Sequence, residues 1–456
     1  MMYPRLKLAR NLLRDDGAIF ISIDDNECSN LRKTCDEVFG EENFVADVIW
    51  QKKHAKQNDS KGFSVSHDHI LLYARSVESW KPNDLPRTEA QLKHYKNPDN
   101  HPLGRWQSVV YTCNKTSDER PNLFYPLIHP TTGEEVWPKK SRVWYCDQNQ
   151  HDRNVAERRI WWGDSDEKPK PRLKSFLAEV KGGIVPDTLW VREDVGDTQE
   201  SKRRIMDLFD GHPIFDTPKP VRLIQRMMQI AMSGREGIVL DFFAGSASTA
   251  DAVVQANARD GSAWRYLLVQ LPERLTNKEF PTIAEIGKER IRRACSQMQA
   301  QTKRVSADGE HDLEAPLDLG FRVFKLSSSN IKPWDADFDT MADDLVEAID
   351  NIKSDRSEDD VLYELLLKYG LDLAVPTETR SIEGRTVTVI GAGALIACLA
   401  GDITLEVVSG IAALKDELKP EVMRVVFKDS GFADDVAKTN AAQILRQAGI
   451  DDVKSL

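Results

Sequence analysis

The stretch VLDFFAGSASTADAVVQA, residues 239–256, constrains the fold more than any other part of this 456-residue chain. A short apolar run ends in an acid, turns through one glycine and opens into small and apolar residues at helical spacing. Strand, turn and helix in that order belong to an α/β sheet with crossover connections. A second run, WRYLLVQLPE, reads as the next strand, ending at Glu273, and TIAEIGKERIRRAC reads as another helix.

The residues of the turn restrict its ligand. A phosphate loop needs a lysine to meet the anion, and no Lys or Arg lies between Arg235 and Arg259. A dinucleotide fingerprint needs G-x-G-x-x-G so that the backbone can approach a pyrophosphate, and Gly245 stands alone. S-adenosylmethionine carries no phosphate and needs no cation. Its ammonium suits Asp241, and Gly245 permits close backbone approach. The helix N-terminus offers free N–H groups, and Glu273 suits the ribose hydroxyls. A plain strand-turn-helix of any α/β protein shares the local pattern. Glu273 and the upstream TPKP, Thr217 to Pro220, set this one apart.

The rest of the chain divides by character. Residues 1–80 alternate helix patterns (YPRLKLARNLL, NECSNLRKTCDEVFG) with strand patterns (AIFISID, FVADVIWQ, HDHILLYAR), and the polar KKHAKQNDSKGFS reads as a loop. Residues 81–210 hold six of the ten tryptophans, with frequent prolines and poor helical periodicity, and read as an irregular, β-leaning insert. Residues 211–304 return to α/β. QAQTKRVSADGEHD reads as a polar linker. In residues 316–456, LGFRVFKL, RTVTVIG, ITLEVV and MRVVFK read as strands, and DDVLYELLLKYG and DVAKTNAAQILRQAG as helices.

Charge follows the same division. Residues 305–456 carry 15 Lys and Arg against 30 Asp and Glu, a net of −15, which leaves residues 1–304 at +4. The first two thirds can therefore face a polyanion that the last third would repel. No stretch approaches 18 consecutive apolar residues, so no membrane span is expected. The six cysteines form no C-x-x-C pair and no metal spacing, which predicts reduced thiols in a cytoplasmic protein without zinc.

Read in order, MMYPRLKLARNLLRDDGAIFISIDDNE, a variable insert, TPKPVRLI and VLDFFAGSAST resemble the permuted β-group of amino-methylating DNA methyltransferases. LDLGFRVFKLSSSN with PWD, and RVVFKDSGFADDVAKTNAAQIL, narrow the resemblance to the modification (Mod) subunit of type III restriction-modification systems. The resemblance implies a Rossmann-like S-adenosylmethionine-dependent methyltransferase fold in permuted, incomplete order. It adds a β-rich recognition insert and an α+β C-terminal domain. It implies transfer of methyl to adenine N6 in double-stranded DNA, a second Mod copy and a Res helicase-nuclease subunit as partners, and no membrane.

By the same resemblance Asp241, Phe243, Gly245 and Ser246 carry the cofactor loop, Thr217, Lys219 and Pro220 its other wall, and Glu273 the ribose position. Residues 1–80 form the catalytic half, 81–210 the target-recognition insert, 211–304 the cofactor half and 316–456 the assembly domain. This sequence departs from the family twice. Ala247 stands where the loop has its second glycine. The Asp-Pro-Pro-Tyr-type tetrapeptide, expected upstream of MMYPRLKLARNLL, is not in this chain, which has no Pro-Pro dipeptide. The expectation is a Mod portion without its catalytic strand, inactive alone and with no catalytic residue assigned. The alternative is a non-catalytic fragment that docks DNA or Res.

Other features carry less. His67 and His69 share a strand face; metal binding would need two further ligands and none is evident, so a polar strand entry is the expectation. Asp24 and Asp25, at a strand end, lie close to where the resemblance puts the adenine pocket, with a helix N-cap and a solvated loop acid as the plain alternative. VIGAGAL mimics a dinucleotide turn and reads as a hairpin or tight turn. Lys139, Lys140, Arg142, Arg158 and Arg159 are the candidates for phosphate contacts, with solvated surface as the plain alternative.

Overall fold

The computed structural model describes residues 1–54, 62–163, 170–276, 279–307, 317–332 and 352–456. They cluster into two units, residues 1–319 and 320–456.

The first unit begins with α1 (Met2–Leu12), β1 (Ala18–Ile23), α2 (Cys28–Phe39), β2 (Phe44–Gln51) and β3 (His67–Ala74). β3 lies between β1 and β2, antiparallel to both, with Ile23 opposite His69 and Gln51 opposite His67. Its near-continuous apolar run is what burial on both faces requires. Leu71 and Tyr73 pack under α1 and α2 with Leu6, Leu31, Cys35 and Phe39. Ile70, Leu72 and Ala74 face the other way, into a core with Val48, Trp50, Leu223 and Ile230.

The insert is built from small antiparallel pieces. Strands β4 (Trp106–Val110), β5 (Ile160–Trp161) and β6 (Arg172–Phe176) form one sheet with β6 central, and two-residue ribbons make up much of the rest. Trp106 and Trp144 are buried there. The two longest helices of the insert, α3 (Gln148–Ala156) and α4 (Thr198–Leu208), are not expected from its sequence pattern. Asp147 and Asp197 cap them by accepting backbone N–H bonds. β7 (Leu189–Trp190) pairs parallel with β2, so this segment returns to the first sheet.

Helix α5 (Val221–Ala231) starts at Pro220. β8 (Glu236–Asp241) then runs parallel to β9 (Ala263–Leu268), and α6 (Ser248–Asp260) makes the crossover. β9 stops at Leu268, so Glu273 does not end a strand. Beyond the pair, the backbone bonds are Val269 N–H to the Asp241 carbonyl and Ala244 N–H to the Val269 carbonyl. α7 (Ile283–Ala307) runs on through the first half of the expected polar linker, and residues 308–316 lie outside the described residues.

The second unit holds α8 (Glu358–Lys368), β10 (Thr377–Ile382), β11 (Arg385–Ile390), β12 (Leu395–Cys398), α9 (Leu405–Leu418), β13 (Arg424–Phe427), α10 (Asp435–Gln447) and β14 (Asp452–Ser455). The strands lie side by side in chain order, two antiparallel pairings followed by two parallel ones. α9 and α10 cover one face and α8 the other. VIGAGAL does turn back as a hairpin between β11 and β12.

Two expected strands are absent. ITLEVV begins α9, because the Thr404 hydroxyl accepts the Val407 N–H as a helix cap and Glu406 sits in the first turn. In LGFRVFKL the alternating residues find no partner strand among the described residues. The Arg322 side chain donates instead to the carbonyls of Leu373 (2.5 Å) and Val375 (3.3 Å). PWD lies outside the described residues.

Candidate functional site: the turn after β8

The turn is tied from its first residue. The Asp241 carboxylate accepts the Phe243 N–H (3.1 Å) and the Thr249 hydroxyl (2.6 Å), joining the strand end to the first turn of α6. Phe243 leaves 56% of its surface exposed at the turn. Gly245 has φ 51°, a left-handed conformation that glycine adopts freely. Its N–H donates to Gln270 Oε1 at 2.8 Å, and an added Cβ would lie 3.6 Å from the Phe215 ring. Ala247 is also left-handed, at φ 60° and ψ 39°.

Beneath the turn lies a buried ionic network. Arg290 of α7 is fully buried. It donates to the Ser246 hydroxyl (3.0 Å), the Ser248 hydroxyl (2.7 Å) and Asp251 (3.1 Å). Asp251 also takes a two-pronged contact from Arg204 of α4, at 2.9 and 3.1 Å. Burial pushes the Asp251 carboxyl up, but hydrogen bonds and charge from the two arginines outweigh it, and it stays ionised below the usual carboxylate range. Burial draws Arg290 below its ordinary value against the pull of Asp251. Among the described residues, the arginine that touches the turn, Arg290, is thus neutralised from below.

The TPKP segment contributes elsewhere. Lys219 Nζ lies 3.0 Å from the Ser22 hydroxyl, 3.4 Å from Asp68 and 4.7 Å over the Trp50 ring. Lys52 reaches the other oxygen of Asp68 at 2.5 Å. Burial lowers the Lys219 ammonium against the attraction of Asp68. Lys219 therefore belongs to the β1–β3 end of the unit, Pro220 is buried at the start of α5, and Thr217 is exposed.

The structure brings Asp241, Phe243, Gly245 and Ser246 together, but Ser246 is 2% exposed with its hydroxyl committed to Arg290, so it supports the turn from within. Glu273 lies beyond the strand and exposed, while Gln270 occupies the place beside Gly245. Sequence reading missed Gln270 because its side chain is neutral and the strand was carried too far. Asp68 has no sequence signal of its own, since the histidines on either side of it face the other way along β3.

Among the basic candidates, Lys139 and Lys140 are exposed beside Trp137, which is itself 49% exposed. Arg158 is exposed, with one contact to the Asp99 carbonyl at 3.4 Å. Arg142 donates to the Thr112 carbonyl at 3.3 Å. Arg159 is held in a fork by Glu179 (2.8 and 2.5 Å) and by Glu157 (2.5 Å), so a phosphate would have to displace two carboxylates.

A family model described as DNA methylase, N6_N4_Mtase, matches residues 1–299. The chain is 34% identical over 335 residues to the type III restriction-modification enzyme StyLTI Mod subunit of Salmonella typhimurium, covering 72% of this chain and 48% of that one. It is 30% identical over 343 residues to the EcoP15I Mod subunit of Escherichia coli, covering 67% and 52%. The type II methyltransferase M.KpnI of Klebsiella pneumoniae is 28% identical over 281 residues, covering 59% and 66%. The chain spans about half the length of the Mod subunits it matches.

Proposed function

The chain belongs to the N6_N4_Mtase family of DNA methylases, and from that premise we propose that its turn after β8 binds S-adenosylmethionine, as the cofactor site of a type III modification subunit that methylates adenine N6 in duplex DNA. The observation that carries this reading is the turn itself, an acid at a strand end beside an exposed aromatic ring.

The residues present fit that cofactor. Asp241 can accept from the ammonium, since each carboxylate oxygen has a second lone pair. Phe243 supplies an apolar face, and Gly245 lets the backbone come close. Gln270 is better placed than Glu273 to meet the ribose hydroxyls. The bound cofactor supplies the methyl group. The flipped adenine amine would attack the methyl carbon in line, a step that rests on positioning and on fixed acceptors around the amine. Residues 81–210 present Lys139, Lys140 and Arg158 to DNA phosphates, and the C-terminal unit meets a second Mod copy and Res. The site of action is the cytoplasm, where the DNA lies. No helix among the described residues is long and apolar enough to cross a membrane.

A second reading is a module that docks DNA or Res without chemistry. Isothermal titration of S-adenosylmethionine into the purified chain separates the two. The first reading expects saturable binding that Asp241→Ala weakens at least about 10-fold, one charge-assisted hydrogen bond's worth. No binding, or binding indifferent to the substitution, overturns it and leaves docking.

A further inference from the structure

Three donors of different chemistry meet on the α1–α2 face of the first sheet, on elements other than those that carry the turn. Asp47 of β2 and His69 of β3 share a sheet face, because His69 pairs with Ile49 and Asp47 lies two residues along the same strand. His69 Nδ1 lies 3.1 and 3.0 Å from the two Asp47 oxygens. Cys28 is the first residue of α2, whose packing on that face with Ile21 and Ile23 brings its thiol to the pair. One ligand atom from each of Cys28, Asp47 and His69 lies within 4.8 Å of the others.

We propose that Cys28 Sγ, an Asp47 oxygen and His69 Nδ1 form a divalent transition-metal site, with zinc the ion they suit. Sulfur, imidazole and carboxylate donors are the zinc set, and the thiol disfavours hard cations such as magnesium or calcium. Tetrahedral zinc with ordinary bond lengths places its ligand atoms about 3.3–3.6 Å apart. The His69–Asp47 contact already has nearly that spacing, so the thiol alone must move inward. Binding releases the Cys28 proton to solvent and forms the metal–thiolate bond. All three ligands are partly exposed, and the fourth position faces solvent or the neighbouring His67, whose ring centroid is 5.4 Å from that of His69. The ion would clip the start of α2 to two strands. The site stands apart from the cofactor reading and survives or fails without it.

Cobalt(II) alone, titrated into the metal-free full chain, reads the site directly. The expected result is one equivalent bound, with a thiolate-to-cobalt charge-transfer absorption and the visible bands of a tetrahedral ion, both displaced by zinc. Cys28→Ser abolishes the charge-transfer absorption, and His69→Gln weakens binding at least about 10-fold. Cys113→Ser and Cys146→Ser, which alter the other partly exposed thiols, leave the spectrum unchanged. Circular dichroism keeps a folding defect distinct from ligand loss. No charge-transfer absorption in the parent chain, or its persistence in folded Cys28→Ser, overturns the proposal.

Discussion

Ala247 is the residue under most local strain in the cofactor turn. An L-residue in the left-handed region costs about 1–2 kcal/mol, and glycine escapes that cost while losing some of it to unfolded-chain entropy. Ala247→Gly should therefore stabilise the chain by about 0.5–1 kcal/mol in urea denaturation. The Ala247 methyl points into the unit, away from the exposed side of the turn. Ala247 is 2% exposed, and a Cβ built on Gly287 of α7 would lie 3.4 Å from its methyl. The same substitution should then leave S-adenosylmethionine affinity within about twofold in titration, a change below 0.5 kcal/mol. A large gain in affinity would mean that the methyl reaches the mouth after all. The departure was visible in the sequence, but its direction needed the helix that arrives 40 residues later.

At the scale of elements, α4, α6 and α7 are fastened by one carboxylate. Asp251, 1% exposed, holds Arg204 and the fully buried Arg290. Removing one partner of a buried pair strands the other charge, which costs about 3–5 kcal/mol. Asp251→Ala should lose that much in urea denaturation and should loosen the turn through Ser246 and Ser248. A loss below about 1 kcal/mol would show that Arg204 and Arg290 find water or new partners.

The C-terminal unit holds a second such acid. Burial pushes Glu364 up, but the Ser329 hydroxyl, the Asn330 N–H and Lys368 together hold it down to about 2. A carboxyl depressed in the folded state stabilises above its ordinary value of 4.5, and that contribution disappears as pH falls toward 2. Glu364→Gln should cost about 1–2 kcal/mol at neutral pH, after solvent screening, and nothing at pH 2. Denaturation of both proteins across that range would show parallel curves if the acid were unpaired.

Elements were legible where one period dominated, as in β3, β8, α7 and α10. They were misread where a local cap overrode alternation, as at Thr404, or where alternation had no neighbouring strand to pair with, as around Arg322. The site was legible as far as the turn. Its supports were not, because Arg204, Asp251, Arg290 and Gln270 come together only through the packing of separate elements.

The whole chain combines a near-neutral unit, residues 1–319 with 47 basic and 48 acidic side chains, and an acidic one. Residues 320–456 hold 15 basic and 25 acidic side chains, a net of −10. Their five-stranded sheet has its own helices on both faces, with Val425 and Phe427 under α9 and α10 and Val426 under α8. Burial on both sides from within one segment is the condition for folding alone. Expressed by itself, this fragment should unfold in urea as one cooperative transition with coincident circular dichroism and tryptophan-independent probes. Its charge should also keep it from duplex DNA, since phosphate contacts dominate affinity and each needs a cation to release a counterion. At about 50 mM salt, where such contacts are strongest, a mobility-shift assay should retain DNA on the full chain and none on the fragment. Retention by the fragment would put the DNA-binding surface in the acidic unit and overturn the assignment of Lys139, Lys140 and Arg158. A non-cooperative transition would show instead that the C-terminal sheet needs the first 319 residues to hold its core.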